Sequence, residues 1–312
     1  MTFRLPRIAN LLITMSDEPA LKREQSLHPR EFPGLIYAYP VLSRRSGGLS
    51  IGVNLNIDKH CNFDCPYCQV DRTVPRPRQA IVTADIRAEL DGLLASVDDG
   101  GVCRLDRFAA IADADKRLKD IAVSGDGEPT MESEFPAVCT MLAELQPARP
   151  GLDFKLVLIT NSTLVDRAPV LKGIGRLLSR NGEVWAKLDA GTEAWYQRVN
   201  VSRFSLDRIE ANLIRLGRSH PFSIQSLFCA LDGEAPGEDE ISAYLARLRR
   251  IRDAVDSRDA ANLGGIREVQ LYTLARKPAQ SSCTPVTSEF LVGLRGRIEA
   301  LGLAARVYGV QA

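Results

Sequence analysis

Short apolar runs alternate with longer stretches of helical apolar spacing along most of the chain. The short runs predict six strands and a short terminal one, at Ile51–Asn56, Asp120–Ser124, Lys155–Thr160, Glu183–Asp189, Ser223–Ala230, Glu268–Leu274 and Ala305–Val310. The longer stretches predict six helices, at Thr83–Val97, Glu132–Leu145, Leu164–Ser179, Ser205–Leu216, Asp239–Val255 and Val286–Leu301. This alternation is typical of a parallel sheet whose strands are joined by crossover helices.

A full TIM barrel has eight strand–helix units, whereas this chain shows six and no clear eighth. The pattern therefore predicts an α/β fold of the partial (β/α)6 type, an open TIM-like barrel. Residues 1–45 precede the first predicted strand, and we expect them to form an N-terminal extension packed on the core. The core domain is then expected to span residues 46–312.

Composition and net charge limit the classes of protein to which this chain can belong. Of the 312 residues, 45% are hydrophobic and 25% are charged, which is ordinary for a globular protein. A net charge of +1 gives no general attraction to nucleic acid or to a membrane, although a local basic patch for nucleic acid stays open. No apolar stretch approaches the roughly 18 residues of a membrane span. The seven cysteines form no disulfide framework, so we expect a reducing, cytoplasmic location.

Three of the seven cysteines fall within one segment, Cys61-Asn-Phe-Asp-Cys65-Pro-Tyr-Cys68. A structural zinc site normally takes four protein ligands, often as two separated pairs. Three thiolates on a short loop can instead bind three irons of a 4Fe–4S cluster, which leaves the fourth iron open for a small molecule. A zinc site with a distant fourth ligand and a set of unrelated thiols are the alternatives. The other four cysteines are spread over separate elements, which argues against a second cluster.

The spacing of these cysteines, with an aromatic residue before the third, resembles the signature of the radical S-adenosylmethionine (SAM) superfamily. The resemblance implies that the open iron binds the amino and carboxylate groups of SAM. One electron from a donor such as flavodoxin or ferredoxin then cleaves SAM to methionine and a 5′-deoxyadenosyl radical. That radical abstracts hydrogen from a substrate. The sequence specifies neither this substrate nor a catalytic side chain.

Polar side chains gather at the carboxyl ends of the predicted strands, where parallel α/β folds place their sites. The Gly-rich segment Ser124–Thr130 follows the second strand, and Asn161 follows the third. Lys187 and Asp189 lie two residues apart on the fourth strand, and Gln225 lies on the fifth. Structural interpretations stay open beside the functional one: a plain Gly-rich turn, a helix N-cap after the third strand, and an internal ion pair on the fourth.

The resemblance implies SAM contacts for seven residues. Tyr67 would stack on or back the adenine, Lys187 would meet the carboxylate, and Asp189 would meet the ribose hydroxyls. Gly127 and Glu128 are similar to the family's Gly-Gly-Glu motif, whose segment binds the SAM amino group. The full set is Tyr67, Gly127, Glu128, Asn161, Lys187, Asp189 and Gln225, with Cys61, Cys65 and Cys68 on the irons.

Within the superfamily, the details are similar to the wyosine-type branch of tRNA imidazoguanosine synthase-like enzymes. The residues behind this are Ser43-Arg44-Arg45 and Ser50-Ile-Gly-Val-Asn54, Cys65-Pro-Tyr-Cys-Gln69, Gly127-Glu-Pro-Thr130 and Lys187-Leu-Asp-Ala-Gly191. That branch carries a second cluster on cysteines N-terminal to the motif, whereas this chain has no cysteine before Cys61. Three functions follow as hypotheses: a radical SAM enzyme with an unknown substrate, a tRNA-base modifier, and a non-catalytic iron–sulfur or zinc module.

Overall fold

A sheet of eight strands organises the structure, a computed structural model that describes residues 20–27, 29–74, 76–255, 264–278 and 280–308. The strands are β1 Ala38–Ser43, β2 Gly48–Val53, β3 Leu118–Val123, β4 Lys155–Thr160, β5 Gly182–Lys187, β6 Pro221–Leu227, β7 Cys229–Leu231, β8 Gly265–Tyr272, β9 Cys283–Pro285 and β10 Ala305–Tyr308. The helices are α1 Ala20–Leu27, α2 Thr83–Asp98, α3 Phe135–Leu145, α4 Ala168–Leu178, α5 Glu193–Val199, α6 Leu206–Gly217, α7 Glu238–Val255 and α8 Ser288–Glu299.

The strand order in the large sheet is β1-β2-β3-β4-β5-β6-β8-β10, and β7 pairs with β9 in a separate small sheet. From β2 to β10 all neighbouring strands are parallel. Every residue of β2 is buried, as expected of a parallel strand covered on both faces. Each of β2, β3, β4, β5, β6 and β8 is followed by a helix, so the predicted partial (β/α)6 barrel is confirmed.

Some predicted strands end earlier than expected. β2 stops before Asn54, whose side-chain oxygen accepts the amide N–H of Asn56 at 3.0 Å and turns the chain. β5 ends at Lys187, so Asp189 lies beyond the strand rather than on it. The predicted fifth strand is interrupted at Phe228, and its last part pairs with β9 as β7.

The N-terminal segment joins the sheet through β1, which pairs antiparallel with β2 along its full length. The pattern did not predict this strand. It contains Pro40, which sits on an edge strand because it cannot donate to a ladder. Glu89 of α2 anchors the entry to β1 by accepting the amide N–H groups of residues 36–38 at 2.8–2.9 Å. Residues 1–19 of the predicted extension lie outside the described residues, as do residues 309–310 of the predicted terminal strand.

Among the described segments, no helix combines the length and the apolar composition that a bilayer span requires.

Candidate active site

The cysteine loop follows β2 and faces a cavity inside the barrel. This cavity has a volume of about 230 Å³ and is lined by side chains of strands β1 to β6 and β8. Cys61, Cys65 and Cys68 are each half-buried, and all three line it. The carboxyl end of β2 therefore presents three thiols to the space where parallel α/β barrels place their ligands.

Each of the three sulfur atoms accepts a hydrogen bond from a different part of the chain. The donors are Asn161 Nδ2 to Cys61 at 3.9 Å, Asn200 Nδ2 to Cys65 at 3.5 Å and Arg72 Nη1 to Cys68 at 3.2 Å. Arg72 is fixed by the carbonyl oxygens of Lys59 at 3.1 Å and Asp126 at 2.9 Å. N–H groups directed at sulfur stabilise thiolates and tune iron–sulfur clusters.

The donor chemistry of the loop fits an iron–sulfur cluster. Burial raises the pKa of Cys61 to about 11 and that of Cys65 to about 12, so both thiols keep their protons at neutral pH until a metal displaces them. Within the described segments, no three His, Cys, Asp or Glu side chains converge on one metal ion. A 4Fe–4S cluster does not require its thiolates to converge on one ion, because each thiolate binds its own iron.

Asp189 ties the cysteine loop to the barrel. Its Oδ2 accepts hydrogen bonds from Tyr67 Oη at 2.6 Å and Asn200 Nδ2 at 2.8 Å. Its Oδ1 accepts the amide N–H of Leu227 at 2.9 Å and pairs with Lys187 Nζ at 3.2 Å. The Asp189 side chain has no exposed surface, so these four contacts replace the hydrogen bonds that the carboxylate would form with water.

Lys187 lies between Tyr67 and Tyr272 inside the barrel. Its ammonium group donates to Tyr272 Oη at 2.8 Å and lies 5.1 Å and 5.3 Å from the ring centres of Tyr67 and Tyr272. Burial disfavours the charged form of Lys187 and by itself would lower its pKa. The interactions with Asp189 and Tyr272 are stronger than this effect and raise the pKa of Lys187. The internal ion pair, one of the two interpretations that the sequence left open, is therefore formed.

Glu128 joins the turn after β3 to the end of β4. Its Oε1 accepts the Thr130 hydroxyl at 2.5 Å, the Thr130 amide N–H at 3.1 Å and the Thr160 hydroxyl at 2.7 Å. Its Oε2 accepts the amide N–H of Asn161 at 2.6 Å. Burial raises the pKa of Glu128, although these hydrogen bonds oppose the rise. The carboxylate is thus fully engaged within the protein.

The glycines of this turn are needed for protein packing. A Cβ atom added at Gly125 would overlap the side chain of Asn54, and one added at Gly127 would overlap the carbonyl oxygen of His60 and the side chain of Asn56. The turn therefore packs directly on the end of β2 and the start of the cysteine loop.

Comparison with known proteins identifies the family of this chain. The family described as the Radical SAM superfamily matches residues 55–221, which is more than half of the chain. The chain belongs to the Radical SAM superfamily. The superfamily predicted from the cysteine loop is confirmed.

Curated relatives of this radical SAM chain share only part of its length. A UPF0026 protein of Methanocaldococcus jannaschii is 29% identical over 138 residues, or 43% of this chain and 36% of the relative. A UPF0026 protein of Helicobacter pylori is 25% identical over 136 residues, or 43% of this chain and 37% of the relative. The matches thus span little more than a third of these relatives.

Solved structures share the fold. A radical SAM methyltransferase from Sphaerobacter thermophilus has a TM-score of 0.57 at 14% identity, over 86% of this chain and 68% of that one. SuiB of Streptococcus suis, bound to SAM, has a TM-score of 0.50 at 11% identity, over 84% and 49%. A structure of TYW1 with a lysine-pyruvate adduct has a TM-score of 0.49 at 13% identity, over 89% and 80%. At such low identities the first two structures show a shared fold alone, and the wyosine-type branch stays a prediction.

The structure brings the predicted SAM residues of this radical SAM protein together. Six of the seven line the cavity: Tyr67, Gly127, Glu128, Asn161, Lys187 and Gln225. Asp189 lies behind that lining and contacts Tyr67 and Lys187. Gln225 donates to Gln270 Oε1 at 3.2 Å and accepts from Tyr272 Oη at 3.4 Å. The SAM contacts of these residues remain predictions.

Two site residues were missed by the sequence analysis. Arg72 lies four residues after Cys68, and only its nearness in sequence to the cysteines could have indicated its role. Asn200 is the more instructive case, because it contacts Cys65, Tyr67 and Asp189 from the end of α5. It lies 135 residues from Cys65, so no local pattern connects the two.

Proposed function

We propose that the protein is a radical SAM enzyme that holds a 4Fe–4S cluster on Cys61, Cys65 and Cys68. It would cleave SAM reductively to a 5′-deoxyadenosyl radical, which abstracts hydrogen from a substrate. The observation that carries this proposal is the set of three sulfurs, each with its own N–H donor, facing one cavity. When bound, the cluster supplies the electron, and flavodoxin or ferredoxin is the proposed class of electron donor.

The residues of the chain would bind and orient SAM in the cavity beside the loop. Tyr67 presents its ring to the cavity and is held by Asp189, so it offers a fixed surface for the adenine. Lys187 keeps its charge and is available to the carboxylate, with Asn161 and Gln225 as further polar groups of the lining and Gly127 and Glu128 at the turn. Asp189 lies behind the lining, so a contact with the ribose would require it to exchange one of its present partners. The barrel wall would exclude water from the reactive radical.

The test uses anaerobically purified, iron–sulfide-reconstituted protein, reduced with dithionite and given SAM. We expect 5′-deoxyadenosine from the wild type and none from Cys65→Ala, which should also lose the cluster. Cys103→Ala is the matched control, because Cys103 does not line the cavity and should leave both properties unchanged.

Two results would contradict the proposal. One is a wild-type protein that binds stoichiometric zinc and no iron. The other is a cluster whose reduced EPR spectrum does not respond to SAM, which would leave a non-catalytic binding module. Full SAM cleavage by Cys65→Ala would exclude the assigned ligands.

A further inference from the structure

The cavity contains more cationic than anionic side chains. The cations that line it are Arg30, Arg45, Arg72, Lys187 and Arg276. The carboxylates that line it are Asp120 and Glu128, and Glu128 is already bonded to Thr130, Thr160 and Asn161.

Three of these cations have partners within the protein. Lys187 pairs with Asp189 at 3.2 Å, and Arg30 pairs with Asp126 at 3.0 Å. Arg72 donates to the sulfur of Cys68 at 3.2 Å. Their charges are therefore compensated by acceptors of the chain.

Arg45 and Arg276 differ from the other three. Within the described residues, neither side chain forms an ion pair, and two of their buried nitrogen atoms, Arg45 Nη1 and Arg276 Nε, have no hydrogen-bond acceptor. A buried donor of a charged group that has lost its hydration without gaining a partner is destabilising. Such groups in a folded protein usually have an acceptor that arrives with a ligand or ordered water.

Arg45 is held in position by aromatic rings. Its guanidinium carbon lies 5.4 Å from the ring centre of Trp185 and 5.2 Å from that of Tyr272. Asp120 is the lining carboxylate on which Arg45 acts electrostatically, but it accepts a 2.5 Å hydrogen bond from Ser50 and forms no ion pair with Arg45. The guanidinium is thus oriented without being neutralised.

Arg276 lies among like charges. Burial, together with the positive charges of Arg30, Arg44 and Arg45, lowers the pKa of Arg276 to about 9. An anion bound between these guanidinium groups would relieve their mutual repulsion.

The two arginines come from distant segments of the chain. Arg45 belongs to the turn between β1 and β2, whereas Arg276 follows β8. Both also line a second cavity, of about 80 Å³, together with residues of β1 and the segment after β8. The β1–β2 turn lies at the end of β2 opposite to the cysteine loop, and Lys187 and Tyr272 lie between Arg45 and Tyr67 of that loop. Arg276 follows the parallel strand β8 and so lies at the same end of the sheet as the cysteine loop, whose Tyr67 also lines the second cavity. The pair therefore lies beside the position proposed for SAM.

We propose that Arg45 and Arg276 form an oxyanion-binding site that holds a carboxylate or phosphate group of the substrate. This inference rests on the proposed function, because it assigns the remaining part of the same cavity to the second reactant. The planar guanidinium fork matches both carboxylate and phosphate oxygens, and stacking on Trp185 and Tyr272 fixes one fork before the ligand arrives.

The test uses the full chain, anaerobically reconstituted with its cluster. Inorganic phosphate and, separately, succinate are titrated at constant ionic strength against sodium chloride, and the thermal midpoint Tm is followed. An anion that binds the folded state raises Tm with its concentration. We expect at least one of the two anions to raise Tm saturably. Arg45→Gln and Arg276→Gln should each weaken that binding by about tenfold or more.

Two controls accompany these variants. Arg249→Gln removes an exposed arginine of α7 that does not line the cavity, and it should respond like the wild type. Arg45→Lys keeps the charge but loses the planar fork, so its affinity should fall between those of the wild type and Arg45→Gln. Iron content and the Tm without added anion report whether each variant is folded.

The outcomes separate the sources of the oxyanion. A response to phosphate alone supports a phosphate-bearing substrate, a response to succinate alone supports a carboxylate-bearing one, and a response to both supports the shared site. Responses equal to chloride, or unchanged binding in both glutamine variants, overturn the proposal. Loss of SAM cleavage by these variants in the absence of substrate would assign the pair to SAM and also overturn it. Failure of the proposed function itself would give a different result, because the wild-type protein would then cleave no SAM.

Discussion

Tyr67 of the cysteine loop donates a 2.6 Å hydrogen bond to Asp189, a residue 122 positions later in the chain. The same carboxylate neutralises Lys187 on β5 and accepts from Asn200 after α5. The loop that carries the three thiols is therefore fixed to the opposite side of the barrel by one buried acid.

This relationship predicts an order of stability for two variants. Tyr67→Phe removes one hydrogen bond to a charged group, so it should lower the free energy of unfolding by about 2 kcal/mol. Asp189→Asn leaves the Lys187 charge buried without its partner and should cost about 3–5 kcal/mol. Anaerobic urea unfolding measures both. Equal stability of Asp189→Asn and the wild type, with only SAM affinity reduced, would instead support a direct ribose contact.

The hydrogen bond from Arg72 to the sulfur of Cys68 predicts an effect on the cluster potential. A cation and N–H donor at 3.2 Å favours the reduced, more negative cluster, so Arg72→Gln should shift the midpoint potential to more negative values. Potentiometric EPR titration measures the shift. Arg78→Gln is the control, because Arg78 lies in the same segment but is exposed and contacts Glu132 at 3.7 Å. An unchanged midpoint in Arg72→Gln would rule out this tuning.

The close packing at Gly127 predicts that Gly127→Ala impairs cluster retention. The added methyl would overlap the carbonyl oxygen of His60 and displace the residue directly before Cys61. We expect lower iron content after gel filtration and a lower Tm. Gly92→Ala is the control: Gly92 lies inside α2 with open space around it, and alanine should stabilise the helix by up to about 1 kcal/mol. Normal iron content in Gly127→Ala would show that the loop absorbs the methyl without loss.

The hydrogen bonds of Glu128 predict that Glu128→Gln is destabilised even without SAM. One amide oxygen cannot accept all the donors of Thr130, Thr160 and Asn161, and the NH2 group would face an N–H or hydroxyl donor. The expected loss in the free energy of unfolding is about 1–3 kcal/mol, measured by urea unfolding of the SAM-free protein. A stable variant with weakened SAM binding alone would favour a direct contact to the SAM amino group.

Much of this protein could be predicted from local sequence. The apolar runs located the strands from β2 to β10 of the large sheet within a few residues, because buried parallel strands are continuously apolar. The three cysteines were proposed as cluster ligands from their spacing alone, since all three lie on one loop. The polar residues at strand ends followed from the rule that parallel strands bring their carboxyl ends to one rim.

Tertiary structure decided the parts that depend on distant contacts. The edge strand β1 was not predicted, because only its pairing with β2 makes the segment a strand. The sequence left Lys187 and Asp189 open between an ion pair and ligand contacts, and the fold formed the pair by placing Asp189 beyond β5. The sequence left the Gly-rich segment open between a plain turn and a SAM-binding segment, and the fold packs Gly125 and Gly127 against Asn54, Asn56 and His60.

The sequence alone determined the superfamily and the class of fold and predicted the cysteine ligands, because these depend on spacing and periodicity within short segments. Only the tertiary structure decided how the ligands are held and which charges stay uncompensated. Asn200 reaches Cys65 across 135 residues, and Arg45 and Arg276 line one cavity from distant segments of the chain. Such proximity depends on how distant segments pack in the fold, and no local pattern encodes it.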